Sequence, residues 1–135
     1  MQPSTLKIKI SAARTLMVGG SFMFLGVLFG AFGAHALKAM VEPKLLETWE
    51  TGVKYLLLHG LSLLAMGIIV QITELQLVWS RRLITAGVSL FSFNCILYVL
   101  SGIKTFAMIV PVGGVLMLVG WILFAVEVFR APKHS

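Results

Sequence analysis

The chain has 135 residues, of which 59% are apolar and only 12% are charged. Soluble proteins carry about 25% charged residues, so this composition predicts an integral membrane protein. The formal net charge of +6 is spread between apolar runs, which argues against nucleic acid as a partner, and the single cysteine, Cys95, excludes an intramolecular disulfide.

Four stretches of the chain are apolar over about 20 residues, the length at which a helix crosses the hydrocarbon core of a bilayer. They cover residues 15–36, 53–72, 83–103 and 106–129. The short loops after the second and third stretches predict antiparallel neighbours. The sequence therefore predicts an all-α integral membrane protein, a four-transmembrane-helix bundle in which residues 1–135 form a single membrane domain.

The first stretch contains small residues at regular positions. Gly26, Gly30 and Ala34 recur every four residues, and small side chains allow the close backbone approach on which helix packing in membranes depends. The fourth stretch repeats this device and also contains a proline that should bend it. The residues predicted to pack helices together are Gly26, Gly30, Gly33, Ala34, Pro111, Gly113, Gly114 and Gly120. The partner helix could belong to this chain or to another copy.

The loop between the first two stretches, residues 38–52, is the only long one. Pro43 suits a first helical position, and the apolar residues that follow it have the spacing of one side of a helix. We therefore expect a short interfacial helix between the first and second spans, with Trp49 at the depth of the lipid headgroups. A plain solvated loop is the alternative.

Several polar residues lie within or beside the predicted spans. Thr51, Tyr55 and His59 are four residues apart and share one stripe of the second helix, and polar side chains in lipid must face protein or a water-filled pocket. The candidate polar pocket comprises His35, Thr51, Tyr55, His59, Asn94 and Tyr98. His35 and His59 lie in the same half of the membrane and could meet, although two histidines alone make a weak metal site. The simpler interpretation is that each imidazole bonds a backbone carbonyl or a hydroxyl group.

The remaining residues do not form a catalytic set. The chain has no aspartate, and its five acidic residues are glutamates in loops or at the ends of spans. The sequence therefore predicts no enzyme activity, no catalytic residues, no cofactor and no metal site.

Basic residues are unevenly distributed between the two sides of the predicted bundle. Seven lie on the side of the termini and four on the other side. Because cytoplasmic loops carry an excess of lysine and arginine, this bias predicts that both termini are cytoplasmic.

Three short segments carry a family resemblance: FGAFGAH at residues 29–35, WETGVKYLLLH at 49–59 and PVGG at 111–114. Together they resemble the YgdD/YwdK-like membrane proteins, a family classed as a domain of unknown function, with relatives among small mitochondrial transmembrane proteins of eukaryotes. The resemblance covers roughly residues 24–124. It implies a small multispanning protein of the bacterial inner membrane and implies no activity.

Two functional hypotheses follow from these features. The first is a non-enzymatic four-helix membrane protein that acts by helix association, as a homo-oligomer or as an accessory subunit of a larger membrane complex. The second is a carrier or binding protein for a small lipid-soluble ligand, held in an outer-leaflet pocket lined by His35, Tyr55, His59 and Asn94. Besides these possible protein partners, the predicted partner is the lipid bilayer.

Overall fold

The computed structural model describes residues 7–133, which are almost entirely helical and contain no strand. The elements in chain order are α1 (Ile10–His35), a 3-10 turn (Leu37–Ala39), α2 (Pro43–Ile72), α3 (Val78–Val88), a π-helical turn (Ser89–Phe93), α4 (Asn94–Ser101) and α5 (Lys104–Phe129). The segment Val78–Ser101 forms one continuous third span, so the described chain has four helices long and apolar enough to cross a membrane. The predicted all-α, four-span class is confirmed.

The segment predicted as a short interfacial helix is the first part of α2. This helix has Pro43 in its first turn, where the missing N–H costs nothing, and runs without interruption to Ile72. Trp49 is only 2% exposed, and its Nε1 donates a hydrogen bond to the carbonyl oxygen of Phe29 in α1 at 2.8 Å. This side chain therefore fastens α2 to α1, and its position at the depth of the lipid headgroups stays a prediction.

The four spans form two antiparallel hairpins. In the first hairpin α1 packs along α2, and in the second hairpin the third span packs along α5. The two hairpins meet mainly where α2 packs against the π-helical turn and α4. Gly52 marks this crossing, because a Cβ atom placed on it would lie 2.8 Å from the Cβ of Cys95.

Small residues seven positions apart fill the interface of the first hairpin. A Cβ atom on Gly26 would lie 2.5 Å from Leu57 Cδ2, and one on Gly33 would lie 2.6 Å from Trp49 Nε1, both closer than real contacts of a Cβ atom. The buried small residues of this seam are Ala12, Gly19, Gly26 and Gly33. The backbones of α1 and α2 therefore approach closely along most of their length.

The predicted four-residue ridge on α1 does not coincide with this seam. A Cβ atom on Gly30 would meet only Val53 Cγ1, at an ordinary 3.5 Å, and Ala34 is exposed. The reason is helical geometry. A step of seven residues turns a helix face by only about 20°, whereas each step of four turns it by about 40°. Gly26 therefore faces α2, while Gly30 and Ala34 turn progressively towards the outside of the bundle.

The second hairpin uses the same device. A Cβ atom on Gly113 would overlap the backbone nitrogen of Phe91 in the π-helical turn and would lie 2.6 Å from Gly87 O, while one on Gly120 would lie 2.7 Å from Ile84 Cγ1. Gly114, by contrast, would gain only an ordinary contact at 3.9 Å. Pro111 lies inside α5, which continues through it.

Candidate functional site

His59 lies in the middle of α2 and is only 7% exposed. Its Nδ1 atom lies 2.9 Å from the carbonyl oxygen of Tyr55, and its Nε2 atom accepts a hydrogen bond from Trp121 Nε1 in α5 at 3.2 Å. Since an indole N–H can only donate, Nε2 carries no proton, and the proton of a neutral ring lies on Nδ1, where it bonds the carbonyl oxygen. His59 is thus a neutral imidazole of defined tautomer with both nitrogens satisfied.

Aromatic rings surround this histidine and connect α2, the π-helical turn and α5. Tyr55 stacks on His59 with an interplanar angle of 11° and touches Phe91 with ring centroids 4.5 Å apart. On the other side, Trp121 packs edge-to-face against Phe124 at 5.7 Å. We call these five residues the His59 cluster. It joins the two hairpins through side chains that pack and hydrogen-bond at the same time.

Only two of the six residues predicted to form a polar pocket come together, Tyr55 and His59. Thr51 is exposed and donates a hydrogen bond to Glu47 O of its own helix at 2.8 Å. Asn94 is buried, and its Nδ2 donates to Leu90 O at 2.6 Å, one turn back along the third span.

His35 and His59, which the sequence allowed to meet, lie at different levels of the bundle. Near the end of α1, Gly33 lies opposite Trp49, and His59 is ten residues further along α2, about 15 Å at 1.5 Å per residue. His35 is exposed at the last position of α1, and Tyr98 is partly buried in a separate cluster around Val99. Within residues 7–133 no group of three or more histidine, cysteine or acidic side chains could hold a metal ion.

The small residues that turn outward from α1 line a groove on the outside of the first hairpin. The groove has a volume of about 370 Å³. Its lining residues are Gly30, Gly33, Ala34, Trp49, Glu50, Val53, Lys54, Leu57 and Leu58. We call it the outer groove. Small residues and larger apolar side chains share its lining, together with one acidic and one basic residue, Glu50 and Lys54, which are both exposed at its rim.

At the opposite end of the bundle, Glu127 of α5 caps the beginning of α3. Its carboxylate accepts hydrogen bonds from the backbone N–H groups of Trp79 at 3.1 Å and Ser80 at 3.4 Å, and from Ser80 Oγ at 2.5 Å. The first N–H groups of a helix have no partner within the helix and carry partial positive charge, so a carboxylate stabilises them. The sequence does not reveal this contact, because it joins residues that are 47 and 48 positions apart.

The role of Trp121 is only partly visible in the sequence. A tryptophan in the interior of a span needs an acceptor for its N–H group, which is a usable signal. The sequence does not show, however, that the acceptor lies 62 residues away on another helix.

Comparison with known proteins identifies a family that this chain matches. Residues 29–114, more than half of the chain, match the family described as "Protein of unknown function (DUF423)". The UPF0382 membrane protein of Staphylococcus aureus (strain bovine RF122 / ET3-1) is 36% identical over 115 residues, covering 85% of this chain and 94% of that protein. The UPF0382 membrane protein of Staphylococcus saprophyticus is also 36% identical over 115 residues, covering 85% and 96%. No solved structure gives a significant match.

Proposed function

Because the chain belongs to the DUF423 family of uncharacterised membrane proteins, whose description carries no activity, we propose a function from the arrangement of its helices. The protein is a non-enzymatic membrane protein that acts by association with another transmembrane helix, as a homo-oligomer or as an accessory subunit of a larger membrane complex. The outer groove is the observation that carries this proposal.

The outer groove differs from the seams inside the hairpins because two of its three small residues, Gly30 and Ala34, have no helix packed closely on them. Gly30 makes only an ordinary contact with Val53, and Ala34 is exposed. Small residues bring little packing energy against lipid, but they allow a partner helix to approach closely. Glu50 and Lys54 at the rim could bind polar groups at the end of such a helix.

A leucine in the groove tests the proposal. Gly30→Leu has room within the chain, because the Cβ position meets only Val53 at 3.5 Å, but its side chain would occupy the site of a partner helix. We expect association to weaken at least tenfold, the equivalent of about 1.4 kcal/mol and within the usual cost of overpacking. The measurement is native mass spectrometry after gentle extraction of the full chain, with crosslinking in the membrane beforehand.

Gly20→Leu is the matched control, because it makes the same change on the same helix at a position where a Cβ atom meets nothing within 4 Å. This variant should associate as the original chain does. Equal association of both variants would show that the outer groove is not the contact surface. A strictly monomeric original chain without any partner would contradict association altogether.

The alternative function, a carrier for a small lipid-soluble ligand, has less support. It requires a pocket shared by His35 and His59, whereas His35 is exposed at the end of α1 and both ring nitrogens of His59 bond within the bundle.

We further propose that the protein resides in the bacterial inner membrane with both termini in the cytoplasm. The seven-to-four distribution of basic residues supports this orientation. A reporter that is active only outside the cytoplasm should therefore work when inserted near Lys44 and fail when fused after Lys133. The opposite pattern would invert the orientation.

A further inference from the structure

A second cavity, of about 510 Å³, lies between α1 and α3 at the end of the bundle where both helices begin. The only elements packed closely along α1 within the described residues are α2 and the 3-10 turn, so the backbones of α1 and α3 leave a gap here. The polar lining residues are Ser11, Arg14, Thr15, Gln76, Arg81 and Arg82, with Thr85 deeper in the cavity. Three arginines from two helices thus share one cavity, and none of its lining residues is acidic.

Arg81 is held in place by bonds across the cavity. Its Nη1 donates to Ser11 O at 3.1 Å and to Thr15 Oγ1, both on α1. Its Nε donates to Gln76 O at 2.8 Å and to Leu77 O at 3.1 Å in the turn before α3. All four bonds use Nε and Nη1, so the Nη2 amino group has no partner among residues 7–133. A guanidinium held in this way is pre-organised for an anion.

Arg14 and Arg82 have no structural task of this kind. Neither makes a hydrogen bond or an ion pair with residues 7–133, and the guanidinium of Arg82 only lies 5.6 Å from the ring centre of Trp79. Glu127, whose carboxylate caps the beginning of α3, is an acidic neighbour of Arg81. Its single negative charge does not balance three positive charges around one cavity at the edge of a bilayer, and like charges there repel unless a further anion joins them.

The cavity also has an apolar part that lies further into the span. Val18 is four residues after Arg14 on α1, and Ala86 is four residues after Arg82 on α3, so each lies about 6 Å deeper along its helix. Trp79, which is 59% exposed beside Arg82, is the residue type that marks the boundary between headgroups and hydrocarbon. Charge at the mouth and apolar walls beneath it match an amphipathic molecule that stands along the helices.

We propose that this cavity binds an anionic phospholipid, with the phosphate group between Arg14, Arg81 and Arg82 and an acyl chain along Val18 and Ala86. Basic pockets between transmembrane helices recognise lipid phosphates in this way, and arginine bonds phosphate oxygens through two N–H groups at once. The site is independent of the outer groove, which lies near the opposite end of the first hairpin.

The double substitution Arg14→Gln with Arg82→Gln tests the site while leaving Arg81 and its structural bonds in place. The full chain is titrated in mild detergent with phosphatidylglycerol, and lipid binding is measured by native mass spectrometry. Each arginine near a lipid surface contributes about fivefold in affinity, so removal of the pair should weaken binding about 25-fold. Thermal unfolding without lipid should be unchanged, because both side chains are exposed.

The matched control removes the same charge at the same end, through Arg130→Gln with Lys133→Gln. Neither residue lines the cavity, so the control should bind phosphatidylglycerol within about threefold of the original chain. An equal loss in the control would mean diffuse attraction instead of a site, and no loss in the Arg14 and Arg82 variant would also overturn the proposal.

Two further binding measurements identify the kind of molecule that supplies the phosphate. Phosphatidylcholine with the same acyl chains should bind at least tenfold more weakly, because its headgroup carries no net charge. Glycerol phosphate, which lacks acyl chains, should not displace the lipid at the same concentration. Equal binding of phosphatidylcholine would show that the cavity is an apolar groove without preference for an anionic headgroup. Full displacement by glycerol phosphate would show that it is a site for soluble anions. Either result would overturn the proposal.

Discussion

Two adjacent glycines in α5 should respond oppositely to the same substitution. In Gly113→Ala the new Cβ atom would overlap the backbone of Phe91 and lie 2.6 Å from Gly87 O, about 0.8 Å short of the 3.4 Å at which ordinary contact begins. The obstructing atoms are backbone, so α5 must move away from the π-helical turn. In Gly114→Ala the atom nearest to the new Cβ is Cδ2 of the Phe91 side chain, at 3.9 Å, and a side chain can move aside.

The expected magnitude follows from comparing the two variants. Both gain about 0.5–1 kcal/mol from replacing glycine within a helix, and this gain cancels in the comparison. What remains is the cost of overpacking, typically about 1–3 kcal/mol, and obstruction by backbone atoms favours the upper part of that range. We therefore expect Gly113→Ala to be about 2–3 kcal/mol less stable than Gly114→Ala.

The assay is reversible unfolding of the full chain by sodium dodecyl sulfate in mixed micelles, followed by circular dichroism and tryptophan fluorescence. Each variant is compared with the original chain for its free energy of unfolding. If the two variants unfold within about 0.5 kcal/mol of each other, then the close approach of α5 to the π-helical turn is not rigid, and the reasoning from the Cβ distances is refuted.

Two further predictions concern single contacts, and the same assay checks them. Trp121→Phe removes the only donor to His59 Nε2 among residues 7–133 and should cost about 1–3 kcal/mol. The cost should be far less in a chain that already carries His59→Phe, because no unsatisfied nitrogen then remains. Additive effects would contradict this bond. Glu127→Gln removes the charge at the beginning of α3 and should cost about 1 kcal/mol, whereas the control Glu74→Gln, at a side chain 98% exposed, should change stability by less than about 0.5 kcal/mol. Equal effects would show that the cap has no special stability.

The structural class of the protein follows from the sequence alone, because it depends on properties of short segments of the chain. Runs of about 20 apolar residues must become helices in lipid, because only a helix satisfies its own backbone hydrogen bonds there. The predicted four spans are therefore confirmed, and the family predicted from short motifs is confirmed as well. The helix that begins at Pro43 was recognisable from its first turn. Periodicity also showed that small residues would bring helices together.

Only some of those small residues bring helices together. The rotation of each helix about its axis selects them, and the tertiary structure alone decides that rotation. Gly26 and Gly30 are equally small, yet only Gly26 is pressed against α2, and Gly113 and Gly114 are adjacent but differ in the same way. A sequence motif contains both members of each pair and cannot separate them. The physical cause is the antiparallel pairing, which repeats its contacts every seven residues.

The polar contacts between helices could not be predicted from the sequence, for a related reason. His59 is satisfied by Trp121 and the beginning of α3 by Glu127, through bonds between residues 47 to 62 positions apart. The predicted topology placed Arg14 and Arg81 at one end of the bundle, but only the gap left between α1 and α3 gives them a common cavity. Span length and composition depend on each residue's own transfer from water to lipid, whereas these sites depend on which helix faces meet, and that is a property of the assembled bundle.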